Sequence, residues 1–245
     1  HAPVAFPGAE FYAKADDDSL VDVPRLISLF EPARKTRNAY IGYVQYDSLI
    51  TDKWKHCGWG GDPISAAHGR RGCPSNTFGP FPFVVGAMTA MSADLAGWFA
   101  QSQEIAHLVA EGRASQSRQN HWDCGYSDVT LGYALARSNV SVSVVSVRDA
   151  MRDATYGAMT AKRFAVSHHL RTKQQFLSAR AEIDADTAAF GAQLVECVPW
   201  TRRVPKSSNM RSEAERARAA LELRDALNAF ECCRSWNYCE LAPDA

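Results

Sequence analysis

The chain has 245 residues, 46% of them hydrophobic and 22% charged, the proportions of a globular protein with a substantial core and room for one large domain or two small ones. Lys+Arg and Asp+Glu both number 27, and this zero net charge removes any electrostatic case for a nucleic-acid partner or an anionic membrane surface. No apolar run approaches the roughly 18 residues of a membrane span.

Residues 9–15 (AEFYAKA) read as a short strand that ends on three adjacent carboxylates, Asp16, Asp17 and Asp18. Asp22 then reads as an N-cap, with Pro24 tolerated in the first helical turn. Val23, Leu26, Ile27 and Phe30 follow at helical spacing and predict one apolar face, and Pro32 stops the helix. Residues 39–45 (AYIGYVQ) form a buried strand.

Residues 52–82 hold Gly, Pro, Cys, His and aromatics without periodicity, and predict a long irregular loop. FVVGAMTAM (83–91) reads as a strand or turn. Ser92 caps a helix with Leu95, Trp98, Phe99, Ile105, Leu108 and Val109 on its apolar face. Ser127 is an N-cap for a short helix that begins at Asp128. SVSVVSV (141–147) alternates and is a strand, and RFAVSHHL (163–170) is another. Phe176, Ala179, Ile183, Thr187, Phe190 and Leu194 keep helical spacing, and a capping box at Ser212 and Glu215 opens a last helix in the tail. Strands alternating with helices predict an α/β layered fold.

Seven cysteines contain no CxxC pair, which argues against a zinc ribbon. Cys57 and Cys73 flank a Gly-, Pro- and Ser-rich stretch where a bridge would order the chain most. Free thiols in a reducing cell stay open as the alternative. One sequon, Asn139, Val140 and Ser141, is compatible with a secretory route.

The aspartate triplet has two readings. Strand C-terminal ends in α/β sheets are where ligands bind, and two carboxylates there can share a hard divalent cation that offsets their repulsion. An exposed acidic turn, screened by water and salt, is the other. Asp128, in the first turn of a helix, is either a carboxylate stabilised by the macrodipole or a base that accepts a proton from a substrate hydroxyl. His168 and His169 are adjacent in a strand, so only one of them can face a given side; that one completes a metal site or is simply a polar terminus. Trp54, Trp59, Phe78, Phe81 and Phe83 either stack on sugar faces or pack the loop onto the core.

Taken in order, these blocks resemble the β-1,3-galactosyltransferase and Fringe-type glycosyltransferases. The apolar strand, DDD and "VDVPRL" resemble that family's "KTDDDVFVNVPxLL". "YIGYVQ" is similar to its "YxGxV", "FPFVVGAMTAMSADL" to its "YPxYxxGxGYxLSxDL", and "YSDVTLGYALARSNV" to its "EDVxxGxCLxxLGV". The order and spacing hold over residues 9–145. The resemblance implies a GT-A, Rossmann-like fold, with residues 1–195 as a catalytic domain and 196–245 as a helical tail. It implies inverting transfer of a hexose, galactose or an N-acetylhexosamine, from a UDP-sugar donor to a hydroxyl of a glycan or glycoprotein acceptor, with a divalent metal, usually Mn2+. It places the enzyme in the Golgi lumen as a single-pass type II membrane protein. By that resemblance Asp16, Asp17 and Asp18 form the metal and nucleotide-sugar motif, with Asp18 the direct metal ligand and Asp16 on the ribose or sugar. Asp128 is the catalytic base, and His168 or His169 is a further metal ligand.

The departures are specific. The family's glutamate before the base is Ser127 here, and "GAMTAMS" lacks the second glycine of its block. The family's uridine-binding strands precede the DDD strand, so the chain reads as mostly the C-terminal half of the domain, with a membrane anchor expected in a segment before His1. A metal-dependent phosphohydrolase and a non-catalytic sugar-binding module decayed from a transferase remain the alternatives.

Overall fold

The computed structural model of the chain describes residues 2–61, 63–116, 127–147, 150–155, 159, 161–186, 190 and 195–200. A short helix α1 (Ala2–Ala5) leads into strand β1 (Phe11–Lys14), which runs straight into the aspartate triplet as the sequence predicts. Strand β2 (Leu20–Val21) follows, then helix α2 (Val23–Phe30). The Asp22 carboxylate accepts the Arg25 amide and Pro24 sits in the first turn, so the predicted cap forms.

The buried face of α2 is not the predicted one. Leu26 and Phe30 are buried, but so are Leu29 and Arg25, whereas Val23 and Ile27 are 58% and 63% exposed. The cause is the Arg25 guanidinium, which donates to the carbonyls of Phe164 and Ile183 at 2.9 and 3.1 Å and pairs with Asp186 at 3.0 Å. A buried cation bonded to backbone carbonyls and a carboxylate outranks two aliphatic side chains in setting the helix rotation. A 3-10 turn (Glu31–Lys35) replaces the helix at Pro32.

Strand β3 (Ala39–Ile50) extends beyond the predicted strand and is followed by β4 (Lys55–His56), helix α3 (Pro63–Gly69) and β5 (Thr77–Ser92). The stretch expected as irregular loop is therefore largely built. Cys57 and Cys73 are bridged, with Cα atoms 6.0 Å apart. Arg70 donates to the carbonyls of Thr77 and Gly79, and the Gly58 α-carbon lies so close to the Arg70 backbone that a β-carbon would meet it at 2.9 Å. Phe81 and Phe83 are core residues, and Trp54 and Phe78 stand edge-on to Tyr133 at 5.7 and 5.4 Å.

The helix expected after Ser92 is two helices, α4 (Ala93–Gln101) and α5 (Gln103–Gln116). Ser102 separates them because its hydroxyl and carbonyl accept the amides of Ile105 and Ala106 and start a new helix. Helix α6 (Ser127–Arg137) takes Ser127 as its first residue rather than its cap. Strands β6 (Val142–Ser146), β7 (Met151–Asp153) and β8 (Val166–His168), helix α7 (Lys173–Ala185) and strand β9 (Val195–Trp200) complete the described chain. The predicted tail helix at Ser212 and Glu215 lies outside the described residues.

The elements form a mixed α/β structure. The larger sheet has the order β1-β5-β3-β6-β9 with β4 on β3; β1 and β5 are antiparallel, β3 and β6 parallel. A second sheet has the order β2-β8-β7. The chain divides into two compact units. The first comprises His1–Val44, Val84–Gly97 and Ser143–Glu196, with Leu29, Phe30, Ile41, Met88, Val145, Met151 and Val166 in its core. The second comprises Gln45–Phe83, Trp98–Val142 and, of the described residues, those from Cys197 on. There Gly132 seats α6 on β5, since a β-carbon would meet Phe83 Cβ at 2.5 Å. No helix among the described residues is long and apolar enough to cross a membrane.

Candidate metal centre

The small sheet of the first unit assembles the site. Strand β2 begins two residues after the aspartate triplet and pairs antiparallel with β8, Leu20 opposite Ser167 and Val21 opposite Val166. That register carries the end of β8, His168, to the triplet. The backbone closes the junction, because the Leu170 amide donates to the Asp18 carbonyl at 2.9 Å. Strand β7 lies parallel on the other side of β8 and sets Asp153 opposite His168.

The result is a cluster of Asp18, His168 and His169, with one ligand atom from each within 4.8 Å of the others. Asp18 Oδ1 is 3.2 Å from His168 Nε2, and Asp16 Oδ2 is 3.8 Å from the same nitrogen. Asp18 Oδ2 pairs with Arg171 at 2.8 Å. Asp16 is held from below: its amide donates to the Gly86 carbonyl at 3.1 Å, and its carboxylate occupies the space a β-carbon on Gly86 would need, 2.3 Å from Oδ2. Asp17 is exposed and has no hydrogen bond or ion pair among the described residues.

Strict strand alternation allows only one of two adjacent histidines on a face, and here the expectation fails. Strand β8 stops at His168, and His169 has φ +57°, the left-handed region. That turn brings the second ring back over the first, stacked at 3.7 Å. A non-glycine residue in this region is strained and persists where its surroundings hold it. Here Asp153 does so, its Oδ2 2.9 Å from His169 Nδ1. An ionised carboxylate only accepts, so His169 Nδ1 is the donor in this hydrogen bond, which assigns any ligating role to Nε2. A buried carboxylate that orients an imidazole in this way is the usual support of a metal-ligating histidine.

His168 is buried, and its Nδ1 has no partner among the described residues. Burial and the neighbouring His169 push its pKa down, outweighing the pull of Asp18, Asp153 and Asp16. A neutral imidazole is the form that offers a lone pair. Two imidazoles and a carboxylate fit a divalent transition ion, manganese included, and the incompletely bonded His168 fits a side chain that serves a ligand beyond the protein.

Asp128 is in the second unit, in the first turn of α6, where its Oδ1 is 2.9 Å from the Val129 amide. The same unit contains a pair that sequence reasoning missed. Asp47, 1% exposed, lies 3.3 Å from His56 Nδ1 on the paired strand β4. The Asp47 hydrogen bond raises the His56 pKa above its ordinary 6.5 against the cost of burial, with smaller contributions from Asp47 charge and Asp128 (upward) and Lys55 (downward). The stabilisation from this pair is complete below the unfolded-state pKa and is lost as pH rises through the higher folded-state value. NMR titration of His56 is expected to give a midpoint above the ordinary histidine value, falling to or below it in Asp47→Asn. An unchanged midpoint in the variant would show that Asp47 does not hold the proton.

No signal in the sequence marks Asp153, Arg171 or Asp47, because each gains its role only through a pairing distant in sequence. Compared with models of known protein families, with curated proteins and with solved structures, the chain has no match.

Proposed function

We propose that the chain is a metal-dependent, inverting hexosyltransferase of GT-A type that moves a sugar from a UDP-sugar to a hydroxyl of a glycan or glycoprotein acceptor. The observation that carries this reading is the meeting of Asp16 and Asp18, at the end of β1, with His168 and His169 at the end of β8. The resemblance of the DDD block to the β-1,3-galactosyltransferase and Fringe-type enzymes asks for such a convergence. The Cys57–Cys73 bridge supports folding in an oxidising compartment, as a lumenal Golgi enzyme would require.

Asp18, His168 and His169 would hold the ion, and a divalent metal bound there supplies Lewis-acid stabilisation of the charge growing on the departing diphosphate. Arg171, paired to Asp18 with its side chain largely exposed, adds a fixed positive charge for the same phosphates. Asp16, seated over Gly86, orients the ribose or the sugar. Asp128 accepts the proton of the acceptor hydroxyl as that oxygen attacks the anomeric carbon. The bond from that carbon to the diphosphate oxygen breaks as the new bond forms on the opposite face, so the configuration inverts.

The full-length protein, given UDP-galactose or UDP-N-acetylglucosamine, manganese and a panel of glycan acceptors, is expected to release UDP and form an inverted glycoside, and chelation is expected to stop it. Phosphate release without an acceptor would favour a phosphohydrolase. Glycan binding with no turnover would favour a non-catalytic module.

A second variant probes the seat of Asp16. Gly86→Ala is expected to leave the melting temperature nearly unchanged, because the obstructed atom is the end of a side chain that can rotate. Displacing Asp16 by an ångström or more should still weaken donor binding on the order of tenfold. Calorimetry of UDP-sugar binding checks it, and wild-type affinity in the variant would remove Asp16 from the donor site.

A further inference from the structure

Of the aromatic residues in or beside the 52–82 stretch, four are accounted for by packing, and Trp59 is not. It is 54% exposed, whereas Trp54 and Phe78 lean on Tyr133, and Phe81 and Phe83 are buried. An indole left in water gains nothing for the fold from its exposed face. Yet this one is held firmly. Its Nε1 donates to Gln45 Oε1 at 2.9 Å, and Gln45 is itself 8% exposed. The next residue, Gly60, exchanges two backbone hydrogen bonds with Tyr46, each 2.9 Å. On the other side Gly58, at φ +98°, lies against the Arg70 backbone, and Cys57 is tied both to Cys73 and to the Ser48 carbonyl. The ring is thus a flat apolar surface set in advance, with little ordering left for a ligand to impose.

The surroundings say what kind of ligand. Trp59 is flanked by Gly58, Gly60 and Gly61, and among the described side chains of its own stretch there is no other large exposed hydrophobic. One isolated ring is far smaller than the contiguous patch a protein partner needs. The Gln45 carbonyl faces the indole N–H, so the amide nitrogen on the same carbon lies at the ring's edge, and it has no partner among the described residues. A flat apolar face bordered by an amide donor matches a pyranose, whose axial C–H groups present an apolar face and whose hydroxyls project at the rim.

We propose that Trp59 is a stacking platform for a pyranose ring of the acceptor glycan, with the Gln45 amide donating to a ring hydroxyl. That the ring is an acceptor rests on the transferase reading; that it binds here does not.

Saturation-transfer NMR on the full-length protein, with methyl β-galactopyranoside and methyl N-acetyl-β-glucosaminide and with neither metal nor UDP-sugar, tests it. Transfer is expected to concentrate on the C–H protons of one ring face. Affinity should fall on the order of tenfold in Trp59→Ala, less in Trp59→Phe, and several-fold in Gln45→Leu. If alanine unfolds the segment, Trp59→Leu replaces it, keeping apolar bulk without the flat face. Equal transfer to wild type and to a folded Trp59 variant overturns the proposal. So does sedimentation in which a self-associated form dissociates on that substitution, which would make the ring a contact between copies. Trp59-dependent sugar binding in a protein that turns over no UDP-sugar would uphold the platform and defeat the transferase reading.

Discussion

Asp18→Asn is expected to lose manganese binding and, with it, metal-dependent binding of the UDP-sugar donor. The substitution keeps the side chain's size and removes its charge. Asp18 is largely enclosed, with one oxygen 3.2 Å from His168 Nε2 and the other 2.8 Å from Arg171. Those neighbours separate the two readings of the acidic triplet. An exposed acidic turn would tolerate the change within about ±0.5 kcal/mol and show no change in ligand binding. A carboxylate that shares an ion with two imidazoles cannot, because neutral amide oxygen is a much poorer ligand for a hard cation. Calorimetric titration of manganese, then of UDP-sugar in its presence, gives the answer, with thermal melting to confirm that the fold survives. Equal affinities in wild type and variant would reduce the Asp18, His168 and His169 cluster to an internal ion-pair network.

Asp128→Asn is expected to lower turnover by on the order of 10²-fold or more with donor affinity little changed. Asparagine retains an oxygen that can accept the Val129 amide, now at 2.9 Å from Asp128 Oδ1, so the first turn of α6 should stand. Its backbone position is secured independently by Gly132, one turn on, pressed against Phe83. What the variant loses is the ability to take a proton from the acceptor hydroxyl. Ser127, where the glutamate of the resembling family would stand, has no acid–base role at neutral pH, so no neighbouring carboxylate in the sequence substitutes for Asp128. Steady-state kinetics with separate turnover and KM values, together with donor calorimetry, distinguish a lost base from a lost binding contact. Unchanged turnover would take Asp128 out of the mechanism.

Local chemistry sufficed for much of this protein. An apolar run ending in three aspartates is a strand that stops, Asp22 with Pro24 starts a helix, and β-branched stretches at 39–45 and 141–147 are strands, since capping, proline geometry and side-chain alternation act over a few residues. The Cys57–Cys73 bridge was legible for a similar reason, the two cysteines flanking one glycine- and proline-rich stretch. The α2 face was not, because the groups that draw Arg25 inward, Phe164, Ile183 and Asp186, lie at the far end of the chain. Nor was the built character of the 52–82 stretch, whose order comes from the Arg70 guanidinium and close glycine contacts rather than from periodicity. The candidate centre divides along the same line. Its aspartates are visible in the sequence as a triplet, and its histidines as an adjacent pair. That both histidines turn to one side and meet Asp18, with Asp153 behind them, follows from the β2-β8-β7 register and from a left-handed backbone at His169. Those are long-range pairings, and no property of the paired residues taken singly encodes them.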